Sequence, residues 1–215
     1  MSAVVLFGPP AAGKDTITAA LRSVDPRFEL LTKLKQGSGR SAGYRFVTAE
    51  ELDALRLSGR IVVETRRYGN IYAVDGLSLA EPQEKGLVPV AHIGNIADMR
   101  TLVNRTRSTV SWLRVLLWVP RDVCEARSRA RGDMDTSKRL KAWDETAHDV
   151  LDSDVRDLFD VVVRTDRTDP ATAAKKIAYA LSGSPDMLSP QALLATLGIG
   201  AGRGGAAPGA DSRRA

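Results

Sequence analysis

Short apolar runs alternate with amphipathic stretches along most of the chain. Residues 3–8, 28–32, 61–64, 88–93, 115–119 and 160–164 read as strands. Between them, residues 14–23, 49–58, 95–105, 121–130, 136–151 and 170–181 carry apolar positions at the three-to-four-residue spacing of helices. Val115-Leu116-Leu117-Trp118-Val119 and Val161-Val162-Val163 are apolar at every position, which suits strands covered on both faces. Strand–helix alternation of this kind predicts an α/β fold, a parallel sheet with helices on both faces. Thr48 and Glu51 have the spacing of a capping box at a helix start. The pattern stops near residue 183. Residues 183–215, with a Gly/Ala-rich run from Gly198 to Ala215, are expected to form a disordered tail. Within it Leu193, Leu194 and Leu197 have the spacing of a short amphipathic helix, with Ser189 and Pro190 at its start.

Composition narrows the class. At 215 residues, 43% of them hydrophobic and 27% charged, the chain suits one globular domain with a sizeable core. No stretch is apolar for the length of a membrane span, and Met1-Ser2-Ala3-Val4 lacks the basic opening of a secretory signal. The protein is therefore expected to be cytoplasmic, without a membrane partner. Cys124 is the single cysteine, so no intrachain disulfide can form; no Cys–His pattern surrounds it, and a structural role is expected. Trp112, Trp118 and Trp143 are expected to be packing residues. The net charge of +5 raises nucleic acid as a partner, but aromatics are only 5% and the basic residues are interleaved with acids. Without a basic run or an aromatic platform, the arginines better suit a small polyanion.

The chemistry-bearing stretch is Gly8-Pro9-Pro10-Ala11-Ala12-Gly13-Lys14-Asp15-Thr16, between the first strand and the first helix. Two glycines bracketing four residues, then lysine, is the phosphate-cradling P-loop spacing. The loop's amides and the positive end of the next helix face the phosphates, and Lys14 reaches the β/γ-phosphates. Gly8, Ala11, Ala12, Gly13, Lys14, Asp15 and Thr16 are therefore the expected ATP-binding residues. Asp15 stands where a Ser or Thr ligand to Mg²⁺ is usual, with Thr16 one position later. A carboxylate suits a hard cation, so either Asp15 or Thr16 is the expected metal ligand.

Further segments follow in order. They are Thr32-Lys33, the glycine-rich run from Gln36 to Gly43 with Arg40 inside it, and Tyr44-Arg45-Phe46-Val47 before a helix. Glu64 on a strand, Gly69-Asn70-Ile71-Tyr72-Ala73, Arg127, Arg131-Gly132, Arg139-Leu140 and Phe159-Asp160 complete the set. Together with the P-loop, this series resembles the guanylate kinase family of nucleoside-monophosphate kinases, over residues 1–182. The resemblance implies a P-loop NTPase fold with a small acceptor-binding subdomain at 32–80 and an arginine lid at 124–145. It implies ATP and Mg²⁺, with Lys14, Arg127, Arg131 and Arg139 neutralising the transferring γ-phosphoryl group. Lys33, Arg40, Tyr44 and Tyr72 would hold the acceptor's phosphate, and Glu64 would read a guanine. His92, at a strand end, reads either as an acceptor contact or as a hydrogen-bonded structural residue.

The departures fall on acceptor identity. Val74 replaces a base-reading serine, and Ala91-His92-Ile93-Gly94-Asn95 replaces an Asp-x-Asp strand end. Gly13-Lys14-Asp15-Thr16 and Tyr72-Ala73-Val74 also resemble ribose 1,5-bisphosphate phosphokinases. The expected protein is thus an ATP-dependent phosphotransferase, monomeric or homodimeric, acting on a phosphorylated small molecule. A nucleoside monophosphate leads as acceptor and a phosphorylated ribose follows; an inactive binding module on the same fold is the reading from another class.

Overall fold

The computed structural model describes residues 2–39, 41–67, 69–133, 135–152 and 158–183, together with Leu197. In chain order the elements are β1 (Ser2–Phe7), α1 (Lys14–Val24), β2 (Phe28–Leu30), β3 (Lys33–Gln36), β4 (Tyr44–Phe46), α2 (Ala49–Leu57), β5 (Ile61–Arg67) and β6 (Asn70–Asp75). They continue as α3 (Gly76–Glu84), β7 (Val88–Ile93), α4 (Ile96–Thr106), β8 (Ser111–Trp118), α5 (Arg121–Ala130), α6 (Thr136–Asp152), β9 (Val161–Arg164) and α7 (Pro170–Ser182).

The apolar runs build a five-stranded sheet in the order β2-β7-β1-β8-β9, parallel throughout. Its central strand is fully buried from Ala3 to Phe7, so alternate residues feed two cores. Val4 and Leu6 pack with Ile17 and Leu21 of α1 and Ala173 and Ile177 of α7. Val5 and Phe7 pack with Met99 and Leu102 of α4, and with Trp118. Helices on both faces of a parallel sheet is the predicted architecture, and the structure has it.

A second sheet went unpredicted as a sheet. Its order is β4-β3-β6-β5, with β3 parallel to β4 and antiparallel to β6, and β5 antiparallel to β6. Its strands are hard to see in sequence because β3 and β4 are three or four residues long and carry Lys33, Lys35 and Arg45 among the apolar positions. One face of this sheet, with Leu34 and Ala73, packs on Leu52 and Leu55 of α2. The other face looks onto the C-terminal ends of β1 and β7, the crevice in which open α/β sheets bind ligands.

Arg40 and most of the expected tail fall outside the described residues. Leu197 is the exception: it is 3% exposed within the core, and its carbonyl accepts the Trp118 indole N–H at 3.0 Å. Trp118 is itself fully buried, so this bond satisfies a donor that has no access to water.

Candidate active site

The first part of the site is the loop between β1 and α1. Gly8 is dictated by close approach: a Cβ there would lie 2.2 Å from the Leu117 carbonyl oxygen of the adjacent β8. Ala11 (φ 59°) and Gly13 (φ 86°) take left-handed conformations that fold the chain back into the helix. Gly13 is the N-cap of α1 and supplies no side-chain cap, which leaves the first-turn amides available to an anion. Lys14 lies over the loop, its Nζ donating to the Gly8 and Pro9 carbonyls at 2.7 and 2.9 Å. Removal from water, with the positive charges of Arg67 and Lys33 opposing the pull of Asp15, lowers its pKa to about 7.

Beyond the loop lies a cavity of about 400 Å³, bordered by Ala11, Gly13, Thr16, Arg127, Arg131 and Thr165 among others. Arg127 fixes one wall: its guanidinium donates to the Ala11 carbonyl at 3.0 Å and to the Thr165 carbonyl at 2.7 Å. The Thr165 hydroxyl in turn donates to the Ala12 carbonyl at 3.1 Å. The Cys124 thiol donates to the Pro10 carbonyl at 3.3 Å, and burial raises its pKa. It buttresses the loop, as its expected structural role implies. Arg131 and Arg139 share Asp133, at 3.5 and 3.1 Å, and Arg139 also reaches Asp135 at 3.2 Å.

The cleft face of the second sheet supplies the remaining cations. Cross-strand register sets Lys33 opposite Tyr44, and Lys35 opposite both Phe46 and Tyr72; Tyr72 in turn lies opposite Thr65. Lys35 is only 3% exposed, and its ammonium stands 5.3, 5.2 and 5.6 Å from the ring centroids of Tyr44, Phe46 and Tyr72. A cation over three ring faces is held by their quadrupoles. Tyr44 and Tyr72 themselves pack at 5.3 Å between centroids. Lys33 donates to the His92 carbonyl at 2.8 Å, and its removal from water lowers its pKa to about 8, against the pull of Asp98. Asp98, at the start of α4, accepts the Thr65 hydroxyl.

His92 turns its ring toward α1. The Thr18 hydroxyl lies 2.9 Å from the Lys14 carbonyl and 2.8 Å from His92 Nε2, so it ties the ring to the first turn of α1. Nδ1 then faces Asp15, 3.7 Å from its Oδ1. Asp15 is 55% exposed there. Thr16 lines the cavity instead, so the two expected metal ligands point to different places.

Glu64 is not on the cleft face. Residues alternate along β5, and Thr65 faces the cleft, so Glu64 faces α2. There Arg56 holds both its oxygens, at 2.8 and 2.9 Å. The resemblance implies that Glu64 reads a guanine, whereas in the structure its carboxylate is engaged by Arg56. The same parity brings Arg67 into the cleft, where Lys14 feels its charge. Lys35, Thr65, Arg67 and Asp98 were all missed; the alternation Val63-x-Thr65-x-Arg67 was the available signal for two of them.

Sheet order, P-loop and the second sheet together define a guanylate kinase-like P-loop fold. No known protein family and no curated protein matches the chain by sequence. Among solved structures, the chain is similar to the guanylate kinase from Anaplasma phagocytophilum, with a TM-score of 0.56 at 16% identity over 90% of this chain and 93% of that one. It also matches the Deinococcus radiodurans tunicamycin resistance protein, with a TM-score of 0.48 at 15% identity, over 88% of this chain and all (100%) of that one. No helix among the described residues is long and apolar enough to cross a membrane.

Proposed function

We propose that the protein is an ATP-dependent phosphotransferase that moves a γ-phosphoryl group onto a phosphorylated small molecule. The observation that carries this reading is convergence: Lys33 of the second sheet donates to the His92 carbonyl at 2.8 Å and Arg67 of the same sheet lies against Gly94, both at the end of β7 beside the strand that leads into the P-loop and Lys14. A donor's phosphates on the loop and an acceptor's phosphate on Lys33, Lys35, Tyr44 and Tyr72 would meet there.

The reaction asks little covalent chemistry of the protein. An oxygen of the acceptor's phosphate, already ionised near neutral pH, bonds to the γ-phosphorus while the bond to the β-bridging oxygen breaks and ADP leaves. Positioning and charge neutralisation do the catalysis. Lys14 would bind the β/γ-phosphates in place of the Gly8 and Pro9 carbonyls it now holds. Arg131 and Arg139, paired with Asp133 and Asp135, would exchange those carboxylates for phosphate. Arg127 would stay on Ala11 and Thr165 as a wall for the nucleoside.

Mg²⁺ fits the donor set. Asp15 offers an exposed carboxylate beside the loop, and no cluster of three or more His, Cys, Asp or Glu side chains able to hold a metal occurs among the described residues. Asp15 would hold the ion, directly or through water, beside the nucleotide's phosphates. When bound it supplies charge neutralisation for the β- and γ-oxygens.

A nucleoside monophosphate is the first acceptor to test. Glu64 on Arg56, and Val74 where a base-reading hydroxyl is expected, favour a second reading, a phosphorylated ribose. ADP release from MgATP should be measured with GMP, dGMP, AMP, CMP, UMP and ribose 1,5-bisphosphate. Turnover with one nucleotide supports the first reading; turnover confined to the sugar supports the second. MgATP binding with no turnover on any acceptor would favour a binding module and sink the kinase reading.

A further inference from the structure

Arg67 ends β5, and its guanidinium reaches across the crevice to the core sheet. Its Nη1 lies so close to Gly94, just past the end of β7, that a Cβ on that glycine would stand 2.6 Å from it. Its Nη2 stands 3.9 Å from Glu145 Oε2 on α6. The side chain is only 24% exposed. β7 and β1 are parallel neighbours, with Ile93 in register with Phe7, so Gly94 and Gly8 leave the sheet side by side. The missing side chain at Gly94 is what lets a second-sheet arginine stand at the mouth of the P-loop. The positive charge of Arg67 adds to removal from water in lowering the Lys14 pKa.

The geometry assigns Arg67 as a catalytic residue that contacts the transferring phosphoryl group, with Gly94 as the slot that admits it. This inference rests on the phosphotransferase reading. As the bond from γ-phosphorus to the β-bridging oxygen breaks and the bond to the acceptor's oxygen forms, charge spreads over the three equatorial oxygens. A planar guanidinium with its fork of donors suits that charge better than an ammonium does. Its place on the second sheet also means that approach of that sheet to the core would carry the charge onto the reacting group.

The test uses the full-length protein and does not require the acceptor. MgADP affinity is measured by calorimetry with and without aluminium fluoride, which mimics a phosphoryl group in flight. The variants are Arg67→Ala, Arg67→Lys and Gly94→Ala. In the unaltered protein the fluoride complex should bind more tightly than MgADP alone. Arg67→Ala should lose about 10²-fold or more of that gain, with MgADP alone within about threefold of the original. Arg67→Lys should restore part of it. Gly94→Ala should reduce it while leaving Tm unchanged, because the methyl meets only the tip of a flexible side chain.

An undiminished gain in Arg67→Ala would overturn the assignment. So would wild-type protein that binds MgADP with no response to fluoride, because no cation would then be poised for the transferring group. Wild-type protein that fails to bind MgADP at all would instead overturn the P-loop reading beneath it.

Discussion

Lys14 stands among like charges and out of water, and that sets how the protein responds to pH. Its pKa is about 7 without ligand, and phosphates would raise it by favouring the charged form. Binding therefore takes up a proton above pH 7. MgATP affinity should hold steady below pH 7 and fall as pH rises through it, by at most about tenfold per pH unit. Calorimetry in buffers of different ionisation enthalpy would report the proton directly; a pH-independent affinity would exclude Lys14 from the phosphate site. Lys14→Ala should reduce kcat by about 10²-fold or more. Asp15→Ser should move the Mg²⁺ concentration needed for half-maximal MgATP binding, and an identical metal titration would place Asp15 away from the ion. Glu64→Gln tests a negative: the acceptor's KM should stay within about twofold, while loss of the Arg56 pair should lower Tm slightly.

At the scale of the element, the P-loop is held from outside as much as from within. Backbone proximity fixes Gly8, whereas Gly13 needs only its left-handed φ, because a Cβ there meets nothing within 4 Å. The two glycines should separate in a denaturation experiment. Gly13→Ala should cost about 1 kcal/mol of backbone strain. Gly8→Ala forces a methyl against the Leu117 carbonyl and should cost about 3 kcal/mol or more, or prevent folding. Equal costs would mean that the β1–β8 contact is not what excludes a side chain. The P-loop was legible because its information is local: glycine spacing, a lysine, a strand before and a helix after. β5 was legible as a strand but not in its facing. A bulge between Ile61 and Val63 breaks the alternation at the start of β5; from Val63 to Arg67 it is regular, but only pairing with β6 shows which of its two faces meets the crevice.

The whole molecule joins a buried parallel sheet to a smaller basic sheet across a crevice, and a residue distant in sequence, Leu197, packs on the first. Leu197 reaches back to Trp118, which faces the same core as Phe7 and Val5. Ending the chain at Gly183 removes both the leucine and the acceptor of a buried indole N–H. That should cost about 2–4 kcal/mol, from lost apolar burial and the unsatisfied donor. A lowered Tm with a red-shifted tryptophan emission would show it; an unchanged Tm would mean the contact contributes nothing.

By itself, the sequence determined the parallel α/β core and the phosphate loop, because both are written in short-range patterns: apolar runs, helical spacing and two glycines before a lysine. Tertiary structure alone decided which charges share the crevice. Lys14, Lys33, Arg67 and His92 come from four elements, and no spacing along the chain predicts their meeting. Strand order, cross-strand register and the parity of β5 bring them together and send Glu64 to the other face. Those are properties of pairing between distant segments, where the free energy of one side chain's direction depends on a neighbour that the local sequence does not name.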